Sequence, residues 1–488
     1  MAPVASRPRL TPLIWPLYLE LWMGIAVGIV ATALAARQSD ATGGAFSLGN
    51  QLYATLFVLF RVIGAGASVV LTQRLGGGHR DQADAVARAT LGASSWLGGI
   101  TGLAATLFAE PLLRLLNTPP EVLPLATPFM QWLGPTMLLD AWNASMASVM
   151  RSHLRSRDAL AVVVAMHVSH LLLIWPLMLG VGAGVDAWHG LGLPGFALAL
   201  GLSRVLGCGL HLWLWRLRLG LVPHWHDWWR LPRPELAALL HIGLPGAAEN
   251  ISWRLCFTYS VSVAALLGAH ALATHAYVLQ VMMGVLLFGA ATGVAVEIVV
   301  GHLVGAGQLH EANRLVRKAL FTGLAVSTAG ALLVALLGPW LMRIFTRDES
   351  IVAAGALLLW LTVLIESGRT YNLIVINALR ATGDARYPLL AGVFSMLLVM
   401  ALGSWFMGVH LGWGLPGLWL AYAADEWLRG LLMWRRWTHL KWVPHARATR
   451  HRLRAGALHS REQPAPAKAW GGNPGSVSGS YGLPPARE

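Results

Sequence analysis

Long apolar runs, broken at intervals by short polar stretches containing glycine or proline, dominate the chain. A helix needs about 20 mostly apolar residues to cross the hydrocarbon core of a bilayer. By that ruler the pattern predicts twelve spanning helices, at roughly 12–36, 48–72, 90–113, 125–150, 159–182, 192–215, 240–266, 272–300, 319–342, 352–379, 387–408 and 414–434. Gly and Pro inside several of them are compatible with spanning, because neighbouring helices can satisfy the freed backbone groups. The first run follows Arg7 and Arg9 and contains Ala33-Leu34-Ala35, which resembles a signal-peptide cleavage site. It is about 25 residues long and holds Glu20, too long an apolar region for a cleaved signal, so it reads as a retained first span.

Composition narrows the class. Of 488 residues, 56% are hydrophobic and 12% charged, whereas a soluble domain carries about 25% charged residues. A soluble globular protein would expose large apolar patches at this composition, and a disordered chain needs low hydrophobicity. What remains is an all-α polytopic membrane protein. The net charge of +14 would point to nucleic acid in a soluble chain, so its placement decides its meaning. With the N-terminus inside, the inner segments hold seventeen Lys and Arg, from Arg7 and Arg9 through Arg151, Arg155 and Arg157 to Arg380 and Arg386. The outer loops hold four, Arg37, Arg114, Arg343 and Arg347. This bias places both termini in the cytoplasm of a multi-pass protein in the plasma (inner) membrane. The expected partners are the bilayer and small-molecule substrates, with no nucleic acid, and the chain is expected to act as a monomer. Cys208 and Cys256 lie inside apolar runs and read as buried thiols. No Cys/His spacing suggests zinc, and no cofactor is expected beyond a coupling ion.

The second half repeats the first at an offset of 229 residues: Pro16/Pro245, Glu20/Glu249, Gln51/Gln280, Gly76/Gly305, Arg88/Arg317, Arg114/Arg343 and Arg151/Arg380 all match in register. Six spans per repeat is an even number, so both halves enter the membrane from the same side. Two parallel six-helix lobes, related by a pseudo-twofold axis along the membrane normal, are therefore expected, with substrate between them and rocking as the route to alternating access. The expected organisation is a cytoplasmic N-terminus (1–11), an N-lobe (12–222), a cytoplasmic linker (223–239), a C-lobe (240–440) and a basic disordered tail (441–488). The glycines Gly76-Gly77-Gly78 and Gly305-Ala306-Gly307 follow spans and carry no Lys-Ser/Thr, so they read as helix caps rather than a phosphate loop.

Ionisable groups at membrane depth are costly and usually face a cavity or one another. Glu20 and Glu249 are repeat mates, each four residues after a proline, one turn beyond a point where the helix can kink. Such a carboxylate can exchange a proton for a cationic substrate. Asn250 follows Glu249. Glu366 and Arg369 share a helix face at i, i+3, Asp140 has Asn143 at i+3, and Asp425 and Glu426 lie near Arg429. The expected substrate- or ion-coupling set is Glu249, Glu20, Glu366, Asn250 and Asp140.

Several stretches resemble the multidrug and toxic compound extrusion (MATE) transporters. Gly49-Asn50-Gln51 through Phe60-Arg61-Val62-Ile63-Gly64 to Thr72-Gln73-Arg74-Leu75-Gly76 resembles their second span, and Gly243-Leu244-Pro245-Gly246-Ala247-Ala248-Glu249-Asn250 the start of their seventh. Leu272-Ala273-Thr274-His275-Ala276-Tyr277 and Gly301-His302-Leu303-Val304-Gly305-Ala306-Gly307 resemble the two ends of the eighth. Glu366-Ser367-Gly368-Arg369-Thr370-Tyr371-Asn372 and Leu379-Arg380-Ala381-Thr382-Gly383-Asp384 resemble the tenth and its following loop. The resemblance covers about residues 10–440. It implies a secondary exporter of organic, often cationic, compounds driven by proton or sodium re-entry. It also implies acidic positions in the seventh and tenth spans, near Glu249 and Glu366. One departure stands out: where relatives commonly carry Asp-Thr in the first span, this chain has Ala31-Thr32. Either Glu20 replaces that acid or coupling rests on the C-lobe. A flippase of the same superfamily for a lipid-linked precursor is the alternative, and it requires Arg61, Arg204 and Arg254 to line a phosphate cavity.

Overall fold

In hydrocarbon every backbone polar group must be satisfied within its own segment, and the apolar runs accordingly fold as helices. A computed structural model describes residues 9–180 and 189–462, with Arg61 and residues 454–462 described in backbone only. In chain order the helices are α1 (Thr11–Gln38), α2 (Asp40–Phe57), α3 (Phe60–Gly76), α4 (Arg80–Leu107), α5 (Ala109–Leu115), α6 (Leu123–Ser152), α7 (Ser156–Ile174), α8 (Leu193–Leu214), α9 (Arg233–Leu266), α10 (Ala269–Ala306), α11 (Leu309–Leu336), α12 (Gly338–Met342), α13 (Glu349–Ala381), α14 (Arg386–Ser395), α15 (Leu402–Trp405), α16 (Gly414–Thr438) and α17 (Val443–Glu462). Wide π-helical turns extend α7 through Leu179 and α8 through Leu219, and carry α14 through α15 to His410. No strand forms among the described residues.

Counting α2–α3, α4–α5, α7, α8 and α14–α15 with their extensions, twelve long rods precede α17 among the described residues. Eight are long and apolar enough to cross a membrane, or nine if α4 and α5, bent 78° from one another, count as one span. The three that fall short, α6, α9 and α16, carry Asp140, Glu249, Asp425 and Glu426. Buried charge does not always have this effect, since the helices that hold Glu366 with Arg369 and Arg204 still pass.

The repeat is visible end for end. The offset of 229 carries Arg80–Leu107 of α4 onto Leu309–Leu336 of α11, and Ser152, closing α6, onto Ala381, closing α13. The two halves also exchange their first helices. Leu13 and Leu17 of α1 are buried in a C-lobe cluster with Val296, Val300 and Ile374. Reciprocally, Leu239 of α9 is buried in an N-lobe cluster with Leu71, Val86 and Met150. Close backbone approach makes this possible: a Cβ on Gly66 would fall 2.2 Å from the Leu239 carbonyl oxygen, and one on Gly243 2.1 Å from that of Val62.

The end of the bundle that carries Arg9, just ahead of α1, and α17, termed here the terminal face, is where the lobes are pinned together. Three side-chain hydrogen bonds cross between lobes among the described residues. Gln73 Nε2 donates to the Ala381 carbonyl (2.8 Å) and His302 Nε2 to the Ser152 carbonyl (2.9 Å). Both donors and both acceptors are repeat mates. The third, from the Tyr18 hydroxyl to the Gly284 carbonyl (3.3 Å), joins α1 to α10 nearer mid-membrane.

The glycines at these helix ends do two jobs. Gly78 and Gly307 adopt φ of 79° and 77°, the left-handed caps expected from sequence. Gly76 and Gly305 instead let the lobes touch, since a Cβ on either would fall 2.0 Å from the carbonyl oxygen of His302 or Gln73.

One expectation needs correction. The segment read as a disordered tail from 441 is helical over Val443–Glu462. Trp442, Ala446, Thr449 and Leu453 form a buried stripe at spacings of four, three and four, which is helical periodicity. Only Trp442 and Leu453 of the four are large and apolar, and the intervening Arg and His residues mask the pattern. The stripe docks on the terminal face, where the Arg450 guanidinium lies over Gly307 and Thr449 faces Gly383. Residues 463–488 and 1–8, including Arg7, lie outside the described residues.

Candidate functional site

Repeat symmetry brings Glu20 and Glu249 to equivalent partners. Arg151 Nη1 donates to Glu20 Oε1 at 2.8 Å, tying α6 to α1. Arg380 Nη2 donates to Glu249 Oε2, tying α13 to α9. The two arginines are themselves repeat mates. The charge pattern placed both in inner loops; the structure places them within the last two turns of α6 and α13, pointing back at the first helix of their own lobe. The C-lobe pair is the more buried, with side chains 10% and 12% exposed against 21% and 17% in the N-lobe. Both helices run through their prolines, Pro16 and Pro245, without ending. Asn250 joins neither pair: its amide donates to the Gly246 carbonyl of its own helix at 2.7 Å.

Deeper in the N-lobe, Asp140 of α6 accepts from Arg204 Nε of α8 at 2.6 Å and from the Tyr53 hydroxyl of α2. Asn143, one turn on, donates to the Arg204 carbonyl at 2.9 Å, and its carbonyl oxygen lies 3.1 Å from His211 Nδ1. One carboxylate and one guanidinium therefore compensate each other.

The C-lobe holds a larger cluster. Arg369 donates to Glu366 Oε1 (2.6 Å) and to Glu426 Oε1 (3.0 Å). Arg429 bridges Glu426 Oε2 (3.0 Å) and Asp425 Oδ2 (2.7 Å), Ser395 donates to Asp425, and Asn372 donates to Glu426. Glu366, Asp425 and Glu426 are 0–4% exposed. Three carboxylates meet two guanidiniums, so the fully ionised cluster carries one negative charge too many for its low-dielectric surroundings. Glu366 Oε2 is buried and has no hydrogen-bond partner.

The two lobes hold inverted versions of one contact. Gly192-Leu193-Pro194-Gly195 at the start of α8 matches Gly414-Leu415-Pro416-Gly417 at the start of α16, an offset of 222 that sets Arg204 opposite Glu426. Asp140 and Arg369 are repeat mates at 229. The acid and base have exchanged helices while the contact has been kept.

The flippase alternative required Arg61, Arg204 and Arg254 to line one cavity. Arg204 is instead held by Asp140, Arg254 is exposed, and the Arg61 side chain lies outside the described residues. Among the described residues, His224, His226 and Asp227 of the linker bring possible metal-ligating atoms within 4.8 Å. Asp227 already accepts from the His224 backbone N–H and faces Arg88 at 4.0 Å.

The MatE family pattern matches residues 12–176 and 245–405, one stretch in each half and together about two thirds of the chain. The chain belongs to the MATE family. As a MATE transporter it is similar to the uncharacterized transporter YisQ of Bacillus subtilis, at 29% identity over 441 residues, 90% of this chain and 96% of YisQ. The multidrug resistance protein PmpM of Pseudomonas aeruginosa is 22% identical over 419 residues, 84% of either chain. A solved structure described as the outward-facing conformation of a multidrug resistance MATE family transporter shares the fold, with a TM-score of 0.80 at 17% identity, over 90% of this chain and 96% of that one. The twelve-helix, two-lobe architecture expected from the repeat is that of this family.

Within this MATE fold, sequence reasoning found every carboxylate of the two lobe sites but missed most of their partners. Arg151 and Arg380 were legible as repeat mates, yet they were absorbed into the topology count. Arg204 was visible as an in-span cation, and its partner Asp140 as a lone acid. Asp425, Glu426 and Arg429 stood out only as near neighbours, all three falling within five residues; their link to Glu366 through Arg369 crosses 57 residues of chain.

Proposed function

We propose that this MATE-family protein is a cation-coupled antiporter that exports organic, cationic or amphiphilic compounds by alternating access, working as a monomer in the inner membrane with both termini cytoplasmic. The observation that carries the reading is the buried charge imbalance around Glu366. Two arginines cannot neutralise Glu366, Asp425 and Glu426, so one proton or one sodium ion completes the cluster, and the unpartnered Glu366 oxygen is where it is received. Glu249 and Glu20, the carboxylates favoured by position alone, are each already neutralised by an arginine. They serve as links between the first and fourth spans of their lobes, and coupling centres on Glu366. With the terminal face taken as cytoplasmic, lobes pinned there leave the opposite end of the bundle to open outward. Loading of Glu366 from outside then competes with substrate for the same negative charge, and that competition couples the two fluxes.

Everted vesicles test this. Addition of a substrate cation should dissipate an imposed proton gradient or an imposed sodium gradient, and imposing each separately identifies the ion. Glu366→Gln should fold but fail to dissipate either gradient. Exchange at the wild-type rate in that variant would refute the assignment.

A further inference from the structure

A cleft of about 690 Å³ lies between α1 of the N-lobe and α10 and α11 of the C-lobe, away from both charge clusters. Its terminal-face end carries three cations: Arg9, just ahead of α1, and Arg314 and Lys318, one turn apart on α11. All three are exposed, and no ion pair holds any of them among the described residues. Glu311 shares this wall but is engaged with a partner of its own. Like charges at i, i+4 are unfavourable on a bare helix, so this triad calls for an anion. Beyond the cations the wall turns apolar, with Trp15, Phe288 and Val326 along it. From Arg314 to Val326 α11 rises about 18 Å, more than half of the roughly 30 Å hydrocarbon core. Trp15 and Val326 are 54% and 51% exposed, so this groove is open to the side of the bundle.

We propose that this cleft binds one anionic phospholipid of the leaflet on the terminal face. Its phosphodiester meets Arg9, Arg314 and Lys318, and one acyl chain lies in the groove past Trp15 and Phe288. Charge and shape select this occupant together. An organic cation is repelled by the triad, a soluble anion leaves the apolar wall uncovered, and a zwitterionic lipid brings a second cation to three already present. Because one wall is N-lobe and the other C-lobe, the bound lipid favours the conformation in which α1 lies against α10, by its difference in affinity between conformations.

The test is photocrosslinking of the full chain in nanodiscs, with phosphatidylglycerol and phosphatidylcholine bearing the same diazirine acyl chain. Phosphatidylglycerol should label peptides from Thr11–Trp15 and from Leu315–Val326 more strongly than phosphatidylcholine. Arg314→Gln with Lys318→Gln should reduce that preference on the order of tenfold. Both positions are exposed, so the variant is expected to remain monodisperse with wild-type thermal unfolding; Arg9→Gln, outside any helix, gives an independent reading if it does not. Equal labelling by the two lipids in the wild-type chain, or an unchanged preference in the variants, would overturn the proposal. Suppression of labelling by inorganic phosphate would overturn it as well, by making the triad a soluble-anion site.

Discussion

Replacing Gly305 by alanine tests the closure of the terminal face directly. The added Cβ would fall 2.0 Å from the Gln73 carbonyl oxygen and 2.9 Å from the Gly77 nitrogen, both backbone atoms of the opposite lobe. No rotamer relieves that contact, so α3 and α10 must separate by about 1.4 Å to reach the 3.4 Å of ordinary packing. Overpacking of this kind costs about 1–3 kcal/mol. The same movement lengthens the Gln73–Ala381 and His302–Ser152 hydrogen bonds, each worth about 0.5–1.5 kcal/mol net. A total near 3 kcal/mol shifts the ratio of conformations on the order of a hundredfold away from the form closed at this face. Spin labels at Asp81→Cys and His310→Cys, both exposed at the first turns of α4 and α11, report the separation by double electron–electron resonance in a Cys208→Ala, Cys256→Ala background. The expected result is a longer distance population that dominates in Gly305→Ala and is minor in its parent. Gly64→Ala is the control, because a Cβ there meets nothing within 4 Å. A distribution unchanged by Gly305→Ala in a folded protein would refute the reasoning: the helices would then be yielding locally, and the glycine contact would not hold the lobes shut.

Other predictions follow from the ion pairs and the last helix. Arg380→Gln alone should destabilise the protein by about 3–5 kcal/mol, because it strands the buried Glu249, and adding Glu249→Gln should restore much of the loss; thermal unfolding in detergent measures both. The corresponding Arg151→Gln should cost less, since the Glu20 pair is more exposed. Because the C-lobe keeps the Asp140–Arg204 contact with its charges exchanged, Asp140→Arg combined with Arg204→Glu should express and unfold closer to wild type than either single change; equal failure of all three would show that Tyr53 and Asn143, not the charge pair, decide the site. Ending the chain after Trp442 should lower the unfolding temperature and the yield, because it uncovers Trp442, which stacks on Trp437 at 4.4 Å, together with the α10 terminus beneath Arg450.

The fold was readable because its signals are local or repeat in register. Hydropathy counts spans without knowing what they touch, and the matched Pro, Glu, Gln and Arg positions give the two lobes at a fixed offset. The Glu366–Arg369 pair was readable for the same reason, since i, i+3 neighbours meet on any helix. Reading failed where the signal was weak or remote. The stripe under α17 uses Ala446 and Thr449 among arginines and histidines, too small a contrast for hydropathy to register. Asn250 adjoins Glu249 in sequence, but its amide bonds the Gly246 carbonyl one turn back in its own helix.

The sequence by itself determined that the chain crosses a membrane, how many times, with which charge bias, and in two parallel repeats. Those properties depend on residue type counted along the chain. Only the tertiary structure decided which charge each carboxylate answers. Glu249 and Arg380 are 131 residues apart, and so are Glu20 and Arg151; whether they meet depends on the rotation and crossing of two helices, which no linear count contains. That pairing gave each of the two carboxylates that position had favoured an arginine of its own, and left three carboxylates facing two guanidiniums in the cluster of Glu366.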